Sequence, residues 1–237
     1  MFDLPRGVLF PVETAELAVD DGPHPFEAGN AGAIAANWRA EITAKPALFD
    51  GKVVLFSSLT YRDGKLAGRC HTVSYSTFLY WRAQRGARIG EHVYAHAALV
   101  SADNRLVAVR MADHTANAGQ VYFAAGSFDP DDFRGGHLDI EANMAREVSE
   151  ETGLDLAAMR PEPLMHGYSI PSGTVLLRRF RADETADRLA ERIAAHIARE
   201  GHSEITEPVL LGAGDEAHPA LAGHMPAIVR WHFSPAG

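Results

Sequence analysis

Three carboxylates and an arginine crowd into the stretch Arg146-Glu147-Val148-Ser149-Glu150-Glu151-Thr152-Gly153-Leu154. On a helix, residues three and four apart share a face, so Glu147, Glu150 and Glu151 project from one side. Like charges at this spacing weaken an isolated helix, and a bound cation removes the repulsion. Hard oxygen donors of this kind suit magnesium, which keeps several waters and is commonly shared between a few carboxylates and substrate phosphates. A cation held there can polarise a phosphoryl oxygen and activate water, so the substrate class to expect is a phosphoric anhydride. Read without a cation, the same residues are a solvated face paired with Arg146.

The elements around this stretch follow from local signals. Asp139 is placed as an N-cap, Ile140, Met144 and Val148 form the buried stripe of the helix, and Gly153 ends it. Ahead of it, Val93–Val100 and Leu106–Met111 read as a hairpin, and Tyr122-Phe123 as a short strand leading into Ala124-Ala125-Gly126. Behind it, Leu164–Ile170 and Thr174–Phe180 form a second strand pair turning at Pro171-Ser172-Gly173. A long helix over Ala182–Glu200, a strand over Glu207–Leu211 and a closing helix over Met225–Trp231 complete this part.

The first ninety residues begin with an extended arm, Val8 to Val19, broken by the turn chemistry of Asp20-Asp21-Gly22-Pro23-His24-Pro25. Ala31–Thr43 carries Ile34, Trp38 and Ile42 four apart and predicts an amphipathic helix packed on a sheet. A hairpin turning at Arg62-Asp63-Gly64-Lys65 follows, then a helix over Thr77–Arg85. Arg82, Arg85 and Arg88 could meet phosphate or form a solvated basic face.

At 237 residues the chain can bury a substantial core. A formal charge of -9 with no basic block gives no nucleic-acid or anionic-membrane surface. The lone Cys70 cannot form an internal disulfide and points to a reducing compartment, with a buried strand position as its bland role. Met1 to Pro11 carries an early acid and two prolines where a signal peptide would have a basic start and an apolar run. No apolar run approaches the roughly 20 residues that cross a bilayer, so a cytoplasmic protein is expected.

Arg146–Leu154 resembles the second half of the Nudix box, G-x5-E-x7-R-E-U-x-E-E-x-G-U, where U is a bulky aliphatic residue, and fills every fixed position of that half. The first half departs from it. Counted back, the glutamate falls on Leu138; counted forward from Gly126 it falls on Asp132, with Phe133–Leu138 as a six-residue insertion. Such an insertion is cheap, since doubling a loop adds about 0.6 kcal/mol of closure entropy.

The resemblance implies an α/β fold, a Nudix-type α/β/α sandwich with a mixed sheet over residues 91–237, preceded by an α+β N-terminal extension over residues 1–90. It implies Mg2+, or Mn2+ in its place, with Glu147 and Glu151 as direct ligands and Glu150 as a further ligand or the group that orients the attacking water. Arg146 would hold the glutamates, Asp132 would be the box-equivalent carboxylate or a ligand, and a carbonyl near Ala125 or Gly126 would add a donor. The reaction implied is hydrolysis of a nucleoside diphosphate linked to another moiety, a nucleotide-sugar such as ADP-ribose or a UDP-sugar. The competing reading is a nucleotide-binding regulator without turnover.

The stretch Lys45-Pro46-Ala47-Leu48-Phe49-Asp50-Gly51-Lys52 is similar to the region before the box in Nudix enzymes that act on UDP-sugars. This similarity implies that the N-terminal segment as a whole is a family-type extension, whose bland role is a cap on the sheet that could also form a homodimer interface. Glu204 and Glu207 are candidates for a late-loop general base. Tyr94, His96, Tyr122, Phe123 and Phe128 could stack a base or sugar or belong to the core. His137 falls in the insertion.

Overall fold

The computed structural model describes residues 1–46, 48–84, 89–201 and 203–234. The chain opens with β1 (Phe2–Asp3), β2 (Leu9–Val12) and β3 (Thr14–Val19), and then enters α1 (Pro25–Ala44). Helix α1 starts earlier than its apolar spacing predicts because Pro25, read from sequence as part of the turn, is its first residue, where a missing N–H is harmless. His24 caps it, its Nδ1 accepting from the Phe26 amide at 3.1 Å. After β4 (Lys52–Arg62) and β5 (Lys65–Ser74) comes α2 (Tyr75–Ala83). Helix α1 packs chiefly on α2, burying Ile34 and leaving Ile42 exposed. Within the Lys45–Lys52 stretch, Asp50 has a structural role at the start of α2, where its carboxylate accepts from the Ser76 amide at 2.7 Å.

The second part contains β6 (Val93–Val100), β7 (Leu106–Met111), β8 (Val121–Tyr122), β9 (Phe133–Arg134), β10 (His137–Leu138) and α3 (Ile140–Thr152). It ends with β11 (Arg160–Pro161), β12 (Met165–Ile170), β13 (Gly173–Arg181), α4 (Ala186–Ile197), β14 (Ile205–Leu211) and α5 (Met225–Phe233). Two mixed sheets result, ordered β1-β4-β5-β3-β10-β9 and β14-β7-β6-β13-β12-β2. The class is the expected α/β one, with α3 against β6 and α4 against β7 and β14.

Each part of the chain lends a strand to the other's sheet. Strand β2 pairs antiparallel with β12, while the β9–β10 hairpin pairs with β3 through His137 and Ala18. One hydrophobic core runs through both sheets, from Leu17, Phe56 and Leu66 to Val109, Val148 and Leu176. Cys70 is fully buried in it, and burial pushes its thiol up to about 12, so it stays protonated. Among the described residues no helix is long and apolar enough to cross a membrane.

Candidate metal centre

Helix α3 forms as its local chemistry dictates. The Asp139 carboxylate accepts from the Ala142 amide at 3.0 Å, Ile140, Met144 and Val148 are buried, and Gly153 takes a left-handed φ of 67° that ends the helix. Glu147 and Glu151, one turn apart, turn toward the segment that follows β8. The Ala125 amide donates to Glu151 Oε2 at 3.2 Å. A Cβ on Gly126 would lie 2.3 Å from Glu147 Oε1, so only glycine lets the backbone come this close without a shift.

Arg146 is the hub of the cluster. Its guanidinium contacts Glu147 at 2.7 Å, Asp132 at 3.2 Å, Glu150 at 3.3 Å and Asp129 at 3.5 Å. Asp132 is buried and points to Arg146 and to the Asn143 side chain, whose Nδ2 donates to it at 2.9 Å. Asn143 and Asp129 were missed from sequence, although Asn143 stands three residues before Arg146 on the same helix face. Glu150 lies at the rim, its side chain 62% exposed.

The six-residue insertion Phe133–Leu138 is the β9–β10 hairpin. Gly135 and Gly136 both have positive φ, 58° and 79°, as a two-residue type I′ turn requires. The Asp139 amide donates to the Asp132 carbonyl at 2.8 Å, so the hairpin leaves and rejoins the chain at one point. Asp132 and Asp139 are thereby brought side by side, as the shorter motif spacing requires.

Burial dominates the electrostatics. It pushes Glu147 up to about 7 against the opposing charge of Arg146, and pushes Glu151 up to about 8 with help from the charge of Glu147. Burial works against the Arg146 cation, but Glu147 and Asp132 outweigh it and raise its pKa. No three of His, Cys, Asp and Glu converge in ready metal-binding geometry among the described residues. The donor set still fits a hard divalent cation: two inward carboxylates that repel each other, beside a backbone segment packed directly on them.

The other sequence candidates separate. Glu204 raises the pKa of Glu151 and so stands within electrostatic reach of the site, whereas Glu207 turns away to pair with Arg110 at 2.6 Å. Phe123 and Phe128 are fully buried core. Tyr94, His96 and His224 form a hydrogen-bonded chain, with His96 Nε2 to His224 Nε2 at 3.0 Å and Tyr94 Oη to His224 Nδ1 at 3.1 Å. Burial lowers His96 well below the ordinary value and His224 to about 4, so both rings are neutral. His137 is exposed on the hairpin, and Arg85 and Arg88 lie outside the described residues. A cavity of about 480 Å³ lies apart from Glu147 and Glu151, between Val12, Arg134, Glu141 and Arg178.

No family model matches the chain, and no curated protein matches it. Solved structures similar to it include DR0079 from Deinococcus radiodurans, at 16% identity and a TM-score of 0.44 over 60% of this chain and 83% of that one. The MutT protein from Methanosarcina mazei Go1 is 16% identical, with a TM-score of 0.41 over 60% and 92%. The NUDIX domain of Shewanella oneidensis NrtR complexed with ADP ribose is 11% identical, with a TM-score of 0.38 over 64% and 94%. Likeness this loose carries no chemistry over, and the functional reading rests on the site.

Proposed function

We propose that the chain is a Nudix-type pyrophosphohydrolase that hydrolyses the diphosphate of a nucleoside diphosphate linked to another moiety, with a nucleotide-sugar such as ADP-ribose or a UDP-sugar as the favoured class. The observation that carries this reading is the pair of carboxylates, buried Glu147 and half-buried Glu151, the first packed against Gly126 where a Cβ would collide with it and both held at raised pKa. Glu147 and Glu151 would hold Mg2+ or Mn2+, with Glu150 and a carbonyl of Ala125 or Gly126 as further donors. Magnesium, when bound, supplies charge neutralisation at a phosphoryl oxygen and a more acidic water.

The chain's own groups do the rest. Arg146, fixed by Asp132 and Asp129, holds the Glu147 carboxylate in place. Glu150 or Glu204 takes the proton of the attacking water as its oxygen bonds to one phosphorus and the bridging P–O bond breaks. A nucleoside monophosphate and the phosphorylated second moiety leave. A binding-only reading would rest on the Asp at position 132 and on the insertion; against it, Asp132 pairs with Arg146 and the insertion pairs with β3, at His137 opposite Ala18. A reducing, cytoplasmic setting is part of the proposal and rests on the lone Cys70.

The test is a panel of nucleoside diphosphate derivatives with magnesium, followed by product analysis. Monophosphate release that stops in excess EDTA is the expected result. Release that survives EDTA removes the metal role of Glu147 and Glu151, and binding without turnover favours the regulator.

A further inference from the structure

A diphosphate substrate needs cationic partners from the protein, and α3 has none to spare, because its one arginine is shared among four carboxylates. A different cation stands nearby. Arg82, in the last turn of α2, is exposed and forms no ion pair among the described residues. Its Nη2 donates to Asn117 Oδ1 at 3.4 Å, and Asn117 Nδ2 donates to the Tyr122 hydroxyl at 3.1 Å. Tyr122 ends β8, three residues before Ala125.

Helix α2 is anchored on this side at a second point. Phe78 packs edge-on against His92 with ring centres 4.8 Å apart, and His92 stacks on Tyr94 at 5.0 Å. His92 and Tyr94 are both partly exposed. The charge of Arg82 acts on this wall and on the rim of the carboxylate site together. Burial lowers His92 to about 3, and Arg82 adds to that effect. Tyr122 is pushed up to about 12, first by burial and further by Glu151 and Glu204, while Asn117 and Arg82 oppose the rise. Through Asn117, Tyr122 links the Arg82 guanidinium to the segment whose Ala125 amide meets Glu151.

An exposed guanidinium held only by a neutral amide loses little on exchanging that amide for an anion, and its planar fork matches phosphate oxygens. We propose that Arg82 is a substrate-binding residue: it closes on the diphosphate from α2, opposite Glu147 and Glu151, with His92 and Tyr94 forming the wall beneath it. The inference rests on the diphosphate reading given above and extends it, since it makes the first ninety residues contributors to the site.

The test compares Arg82→Ala with Arg160→Ala, which removes an exposed charge on β11. With ADP-ribose and UDP-glucose as substrates, Arg82→Ala should raise KM about tenfold or more and leave kcat within about threefold, with Arg82→Lys between it and the native protein. Calorimetric titration with inorganic pyrophosphate and magnesium should show the same loss of affinity. Unchanged KM and unchanged pyrophosphate affinity overturn the assignment. If neither nucleotide-sugar is hydrolysed, the hydrolase reading fails by itself, and the pyrophosphate titration still decides Arg82. Weaker binding in Arg82→Ala sustains the assignment; equal binding, or none to the native protein, overturns it.

Discussion

Glu91 and Glu147 are buried equally, each 8% exposed, yet they stand in opposite surroundings. Glu91 takes both arms of Arg6, at 2.8 and 3.0 Å, and the Thr174 hydroxyl at 2.7 Å. Ser169 adds a longer contact at 3.5 Å. Glu147 shares one arginine with three other carboxylates and lies one helical turn from Glu151, itself drawn inward. A buried carboxylate with a full set of donors is a strut, here tying the N-terminal arm to β12 and β13. One whose donors are shared out remains able to take a cation.

The largest effect that tests this contrast is on turnover. Glu151→Gln should reduce kcat by about 10²–10³-fold, comparable to the loss of one preorganised electrostatic group, while leaving the urea midpoint equal or higher because a repulsion is removed. A clear loss of stability would place Glu151 with the struts. Glu91→Gln should do the reverse. Arg6 keeps 41% of its side chain in solvent and can be rehydrated, so a loss of about 1–3 kcal/mol is expected in chemical denaturation. Turnover per folded molecule should be unchanged, and a fall in it would draw Glu91 into the site.

The last effect is on pH dependence. Glu147 near 7 and Glu151 near 8 hold protons in the folded state that an unfolded carboxylate, near 4.5, has released. Their contribution to stability is therefore full below pH about 4.5 and is lost as pH rises through 7 and 8. Between pH about 6 and about 8.5 the thermal midpoint without divalent cations should fall, by up to about 10 °C for values this high. Magnesium should restore more of it at the higher pH, and Glu151→Gln should flatten the slope. A midpoint that rises over this range contradicts the raised values.

Helix α3 was legible in the sequence because everything that shapes it is local: the Asp139 cap, the stripe of Ile140, Met144 and Val148, and the glycine stop. The hairpin within the motif was visible as an insertion, and its glycine pair specifies the turn. Contacts between distant residues were not legible. Glu91 meets Arg6 across 85 positions and Asn117 meets Arg82 across 35, and no periodicity marks such partners. Helix α1 shows the limit of pattern reading in another way, since Ile34, Trp38 and Ile42 announce an apolar stripe but not which element will cover it.

The β9–β10 hairpin has a consequence beyond motif spacing. Strand β3 is flanked by β5 on one side, and on the other its backbone meets the hairpin, through His137 opposite Ala18 and the Val19 amide donating to the Gly136 carbonyl at 3.0 Å. Without those six residues β3 would end the sheet as an open edge, a template for pairing between molecules. Trimming the chain back to the uninterrupted motif would thus trade a surface loop for a loss of solubility.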